Sequence, residues 1–310
     1  ADHLTDTFEF QGPLRYENQT IRMWHIGSFT ADDGTNYLLT HEGDIYRLAA
    51  DGKTAEAKVI SNIAPGTEAP AMFHFNDHYF FLASQKTSWD HNDNIYFTAD
   101  RLNGPWTPHG PFCPSGTLTY NSQTAFVTLI TTAKGTVPLY LGDRHTYPYL
   151  NNSTHVWLPL TVNGTELSIP HYWPRWDWYE QDAQPMTFNS LAWTGQTSDA
   201  SVTLSFYGTN ITITGQTSPQ GGFAKMTLRD KEGHIRSQVY TDFYSILTEE
   251  TVCFRSPTEQ PDHYQLLIEA MGIHGDWYDK SRRRYGSDGN HVTISGYSID
   301  NPTEDRKSVV

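Results

Sequence analysis

Cysteine is nearly absent from the 310 residues: Cys113 and Cys253 stand far apart and exclude both a disulfide framework and a cysteine-built metal signature. A single bridge and two unpaired thiols both stay open. Charge is scarce too, at 18%, and 35 acidic against 21 basic residues leave a formal net charge of −14. Nucleic acid and anionic membrane surfaces demand basic patches, so both are disfavoured as partners. The one basic cluster, Arg282-Arg283-Arg284, sits in "KSRRRYGSDGN" and reads as a solvated loop. No apolar run approaches the ~20 residues of a membrane span. Helical periodicity is nearly missing. There is no Gly-x-Ser-x-Gly, no phosphate loop and no dinucleotide fingerprint.

What is present is aromatic and turn-rich. Aromatics make up 14%, beside 23 glycines and 17 prolines. That profile suits short strands, tight turns and surfaces that stack on sugars. Runs such as "TNYLLT", "DIYRLA", "HYFFLAS", "NIYFTAD" and "PLYLGD" are separated by Asp33-Gly34, Asp51-Gly52, Asn103-Gly104 and Asn163-Gly164. Such spacing belongs to an all-β sandwich, barrel or propeller. No signal peptide opens the chain. Five sequons, at Asn18, Asn151, Asn152, Asn163 and Asn210, favour a secreted glycoprotein whose leader has been removed.

A loose repeat favours a β-propeller. The units "HIGSFTADDGTNYLLTHEGDIYRLAADG", "EAPAMFHFNDHYFFLASQKTSWDHNDNIYFTADRLNGPW" and "QTAFVTLITTAKGTVPLYLGDRHTYPYLNNSTHVWLPLTVNG" each open on a polar residue and run through paired strand patterns. About three blades are therefore visible in residues 1–178. The aromatic, proline-rich stretch "PHYWPRWDWYEQDAQP" joins the two parts, and residues 179–192 read as a packed connector. Alternation over 193–301, as in "ASVTLSFYGTNITITG", predicts a separate jelly-roll β-sandwich. Residues 302–310 read as a disordered tail.

The leading residues His25, Glu68 and Gln123 would begin inner strands and face the central channel. A carboxylic acid held among aromatics, as Glu68 is in "TEAPAMF", is suited to protonating a glycosidic oxygen. The plainer alternative is a solvated or salt-bridged surface glutamate. His74 and His78 are spaced i, i+4, but on strand and turn, without a zinc-protease glutamate. Asp90-His-Asn92-Asp-Asn94 starts like a calcium loop, yet Ile95 stands where glycine is needed, so a hydrogen-bonded turn is expected. No cofactor is required, and a structural Ca2+ is left open.

The motifs "EAPAM", "SWDHNDNIY", "LNGPW", "YNSQT", "LGDRH" and "STHVWLPL", in that order, make residues 8 to 175 resemble the exo-β-1,3-galactanases of glycoside hydrolase family 43. The resemblance implies a five-bladed propeller that removes galactose from the non-reducing end of β-1,3-galactan, the arabinogalactan backbone, with inversion. It implies Glu68 as general acid and Gln123 as the residue positioning the attacking water. An inverting site would hold the two groups roughly 6.5–9.5 Å apart. Trp89, Asp90, Tyr120, Asp143 and Arg144 fall in matching motifs and would line the sugar subsite, with Trp89 as core and Asp143–Arg144 as an ion pair the structural alternatives. The sandwich resembles galactose-binding-like modules appended to such hydrolases.

Two departures stand out. Trp24-His25 occupies the place of the family's Ser-Arg-Asp, leaving His25 to bond sugar or Glu68, with simple packing the structural alternative. The visible blades number three rather than five, so a missing or separate N-terminal segment is expected to complete the ring. The rival reading is a non-catalytic galactan-binding relative.

Overall fold

Turn residues cut the chain where the sequence indicates. In the computed structural model, which describes residue 3 and residues 5–301, Asp33 Oδ1 accepts the Thr35 N–H at 2.9 Å and Asp51 Oδ1 the Lys53 N–H at 3.0 Å. The expected tail, 302–310, lies outside the described residues. The strands between these turns form three antiparallel sheets, each in chain order. Sheet one comprises β1 (Ile26–Thr30), β2 (Asn36–Thr40), β3 (Asp44–Leu48) and β4 (Ala55–Ile60). Sheet two comprises β5 (Thr67–Phe75), β6 (His78–Gln85), β7 (Ile95–Ala99) and β8 (Thr107–Pro111). Sheet three has β9 (Gln123–Thr132), β10 (Gly135–Arg144) and β11 (Thr154–Pro159).

Sheet two is covered on both faces, which explains its unbroken apolar runs. Successive side chains on a strand point to opposite faces. Met72, Phe81 and Phe97 meet Phe29, Leu39 and Ile45 of sheet one. Their neighbours Phe73, Phe80 and Tyr96 meet Val127, Tyr140, Val156 and Leu158 of sheet three. Sheets stacked face to face in chain order, each starting from its innermost strand, are the propeller arrangement. The outer face of sheet one is covered by Leu14, Tyr16, Ile21 and Met23. Sheet three is different: Phe126, Leu141 and Trp157 stand in one row across its far face. Phe126 is 39% and Trp157 57% exposed.

The alternating C-terminal pattern forms eight strands: β12 (Asn189–Gly195), β13 (Ser201–Gly208), β14 (Asn210–Thr217), β15 (Phe223–Asp230), β16 (Ile235–Asp242), β17 (Glu249–Arg255), β18 (Asp262–Ala270) and β19 (Val292–Asp300). They pair as β12-β19-β14-β17 and β13-β18-β15-β16. Between the two sheets lies a core of Ile211, Ile213, Phe254 and Ile294 from one and Phe206, Met226, Leu266 and Ile268 from the other. The first of these strands starts at Asn189 rather than near 193. Trp178 of the connecting segment packs edge-on against both Trp157 and Trp176. Both cysteines are free, Cys113 buried and Cys253 half-buried. Of the sequon asparagines, Asn18, Asn151 and Asn163 are exposed, whereas Asn210 is buried.

Candidate active site

The three leading polar residues come together. His25 immediately precedes β1, Glu68 is the second residue of β5 and Gln123 the first of β9. Their strands can approach because Gly27 has no side chain; a Cβ there would collide with the Pro70 carbonyl oxygen. Opposite, β5 carries a bulge between Glu68 and Ala71, with Ala69 at φ +53°. Bulges re-aim side chains, and proline in a strand is tolerated at one. Glu68 is left 14% exposed at the side chain. The bulged Ala69 N–H donates to His25 Nδ1 at 3.0 Å. That nitrogen is therefore the unprotonated one, and its 3.9 Å approach to Glu68 Oε2 is not a charge-assisted bond. His25 fixes the bulge that aims Glu68.

Gln123 Nε2 donates to Glu68 Oε1 at 3.2 Å and to Ser84 Oγ at 3.3 Å. The two candidate groups are thus in contact, where the family resemblance implies a gap wide enough for water. Gln123 Oε1 accepts no hydrogen bond among the described residues. Behind the pair lies a buried amide network. Asn92 Nδ2 donates to Ser84 Oγ, the Gln85 carbonyl and Thr87 Oγ1. Asn94 Oδ1 accepts the Thr124 N–H at 2.7 Å and its hydroxyl at 2.8 Å. Asp93 accepts the N–H groups of Gly116 and Leu118. The Asp90–Asn94 segment, expected to be a hydrogen-bonded turn, is instead irregular backbone following a turn at residues 88–89, and its long-range hydrogen bonds pin the head of β9.

Just before Gln123 the chain makes one helical turn, Leu118–Asn121, in the left-handed sense, with φ between +53° and +57° at all four residues. None is glycine. Left-handed backbone costs L-residues about 1–2 kcal/mol each, so the turn persists through its contacts. Thr119 Oγ1 donates to the Asn92 carbonyl and accepts the Asn94 N–H. Tyr120 donates its hydroxyl to the Ile169 carbonyl, and Arg144 Nη2 donates to the Tyr120 carbonyl at 2.8 Å. Burial pushes the Tyr120 phenol up to about 12.

The remaining candidates divide. Asp143 sits opposite Gln123 in the β9–β10 ladder, but its carboxylate pairs with His155 Nδ1 at 2.8 Å. Arg144 instead stacks over Tyr172 and bonds the carbonyls of Tyr120 and Val252, so the alternative Asp143–Arg144 ion pair is not formed. Trp89 stacks on Tyr147 and meets His145 edge-on. Asp90 accepts the Tyr244 hydroxyl of the sandwich at 3.0 Å, and burial raises its carboxyl above the ordinary range. Asp90, Trp89 and Arg144 line a cavity of about 70 Å³ at the seam with the sandwich. A second, of about 690 Å³, opens beside β11, Trp173 and Arg255. Neither reaches Glu68 or Gln123.

His74 and His78 pair with Asp32 and Asp100 respectively, not with each other. Among the described residues the grouping with metal-ligand spacing is Asp230, Glu232 and His234, an exposed turn closed by its own hydrogen bonds. Sequence reasoning missed Ser84, 39 positions from Gln123, and the sandwich residues at the seam, such as Tyr244, 154 positions from Asp90. Asn92 and Asn94 stand inside a quoted motif and read in the sequence only as part of a turn.

No protein-family model and no curated protein sequence matches the chain. Among solved structures it is similar to an exo-β-1,3-galactanase from Phanerochaete chrysosporium with galactose, at 19% identity and TM-score 0.56, over 88% of this chain and 68% of that one. A Bifidobacterium bifidum s17 structure, provisionally assigned as an exo-β-1,3-galactanase, shares 34% identity over 49% of this chain, with TM-score 0.45. An exo-β-1,3-galactanase from Clostridium thermocellum gives 16% identity, 89% coverage of this chain and TM-score 0.47. The chain spans 55% and 65% of the length of these last two. The fold is that of the β-propeller glycoside hydrolases of family 43.

Proposed function

We propose that the chain is a secreted glycoside hydrolase that removes galactose from the non-reducing end of β-1,3-galactan, as in arabinogalactan, with inversion. One observation carries this reading: the Glu68 carboxylic acid is aimed by a bulge into the place where three successive inner strands begin, with Gln123 on it and His25 behind it. The fold shared with a galactanase solved with galactose supports a galactose-containing substrate. Glu68 is the general acid that protonates the departing glycosidic oxygen. Gln123 holds Glu68 through its N–H and offers its free carbonyl oxygen to the attacking water. As an amide it orients that water without deprotonating it. Sugar entry would lift Gln123 from Glu68 and open the gap that inversion needs. A further polypeptide segment covering Phe126, Leu141 and Trp157 would continue the ring beyond sheet three.

A second reading, a non-catalytic galactan-binding protein, is favoured by the direct Glu68–Gln123 contact and by His25 standing where the family carries an aspartate. Incubation with β-1,3-galactotriose under ¹H NMR separates the two. The proposal expects galactose to appear first as its α anomer. First appearance of the β anomer contradicts inversion, and binding without any release establishes the second reading.

A further inference from the structure

The left-handed turn ahead of Gln123 is strained, and part of what holds it belongs to the sandwich. Asn121, its last residue, donates through Nδ2 to Glu249 Oε1 at 3.0 Å and accepts the Ser245 hydroxyl at 3.3 Å. Arg144 ties the Tyr120 carbonyl to the Val252 carbonyl of β17. The loop that carries Asn92 and Asn94 is held the same way. Trp277 Nε1 donates to Ser88 Oγ at 3.0 Å, and Tyr244 donates to Asp90. Ser88 is itself at φ +62°. Both non-glycine segments in left-handed backbone that flank the amide network are therefore clamped from the sandwich side. From there the connection to the site is short: Asn121 is two residues from Gln123, and Asp90 two residues from Asn92.

We propose that the sandwich is part of the active-site machinery, with Tyr244, Ser245 and Glu249 as positioning residues that keep the 88–94 loop and the 118–121 turn in the shape that aims Gln123 at Glu68. A detachable sugar-binding module would not need to grip these two segments. Strained backbone persists only where its surroundings over-determine it. Once the Glu249 and Ser245 contacts are removed, Asn121 and then Gln123 are free to relax. The inference rests on the hydrolase reading for its consequence in catalysis, but not for its geometry.

The test follows the side-chain amide signal of Gln123 in protein labelled with ¹⁵N-glutamine, assigned by its loss in Gln123→Leu. Glu249→Ala and Tyr244→Phe are expected to move that signal, while Glu249→Gln, which keeps an acceptor for Asn121, restores it. Ile268→Val, a cavity in the sandwich core, should lower Tm and leave the signal in place. On β-1,3-galactotriose, Glu249→Ala should lower kcat about tenfold to a hundredfold with little change in KM. An unmoved Gln123 signal in Glu249→Ala and Tyr244→Phe, or an equal movement in Ile268→Val, overturns the proposal. Tyr244→Phe, which loses one hydroxyl, carries the comparison if Glu249→Ala does not fold. If the wild-type chain releases no galactose, the hydrolase reading fails, and the amide signal still decides the positioning role.

Discussion

Gly27 and His91 show how single residues set conditions that the site depends on. A methyl group at Gly27 would strike the Pro70 carbonyl, so Gly27→Ala must push β1 from β5. Overpacking of this kind costs about 1–3 kcal/mol or more. Urea unfolding should show a loss in that range, and an unchanged midpoint would contradict the close approach. His91 lies at the seam, stacked parallel to His145, with Nε2 enclosed and unbonded among the described residues. Burial, with His145 and Arg144 close by, pushes it down to about 3 from an ordinary 6.5. The folded state keeps it neutral while the unfolded chain protonates. Its contribution is complete above about pH 6.5 and is lost progressively as pH falls toward 3. Between pH 7 and 4.5 wild type should therefore lose about 2–3 kcal/mol more than His91→Phe. Parallel losses in the two proteins, measured by urea titration at both pH values, would contradict this.

Among the elements, the head of β9 is held by side chains as well as by its ladder. Asn94 is fully buried and accepts two hydrogen bonds from Thr124. Asn94→Leu orphans both donors and should cost at least about 1–3 kcal/mol, with Gln123 losing its fixed place; thermal unfolding checks the first and galactose release the second. The inner strands were legible in the sequence because each begins with a polar residue ahead of an apolar run, and because sheet two is buried on both faces. Glu68, Gln123 and His25 were placed together for that reason. The Leu118–Asn121 turn was not legible, since nothing in "LTYN" signals positive φ. Its conformation comes from Asn92, Asp93, Arg144 and Glu249, which are distant in sequence. The same applies to Asp90, Tyr120 and Arg144: their motif positions suggested a sugar subsite, whereas each bonds a seam or backbone partner that local pattern does not reveal. The role of His25 depended on a bulge at Ala69 that no local sequence rule marks.

Across the whole molecule, three stacked sheets and an eight-stranded sandwich meet along a polar, aromatic seam that runs behind the candidate site. On the proposed hydrolase reading a continuing ring would pack against the apolar row Phe126–Leu141–Trp157, and the site takes its meaning from that reading. That meaning rests on Glu68 acting as an acid rather than as a ligand for sugar. The most direct measurement is the turnover of β-1,3-galactotriose by wild type and Glu68→Gln, with sugar affinity measured in parallel. The account predicts a fall in kcat of about 10²–10⁴ with affinity retained; a Glu68→Gln protein that turns over at the wild-type rate would contradict it.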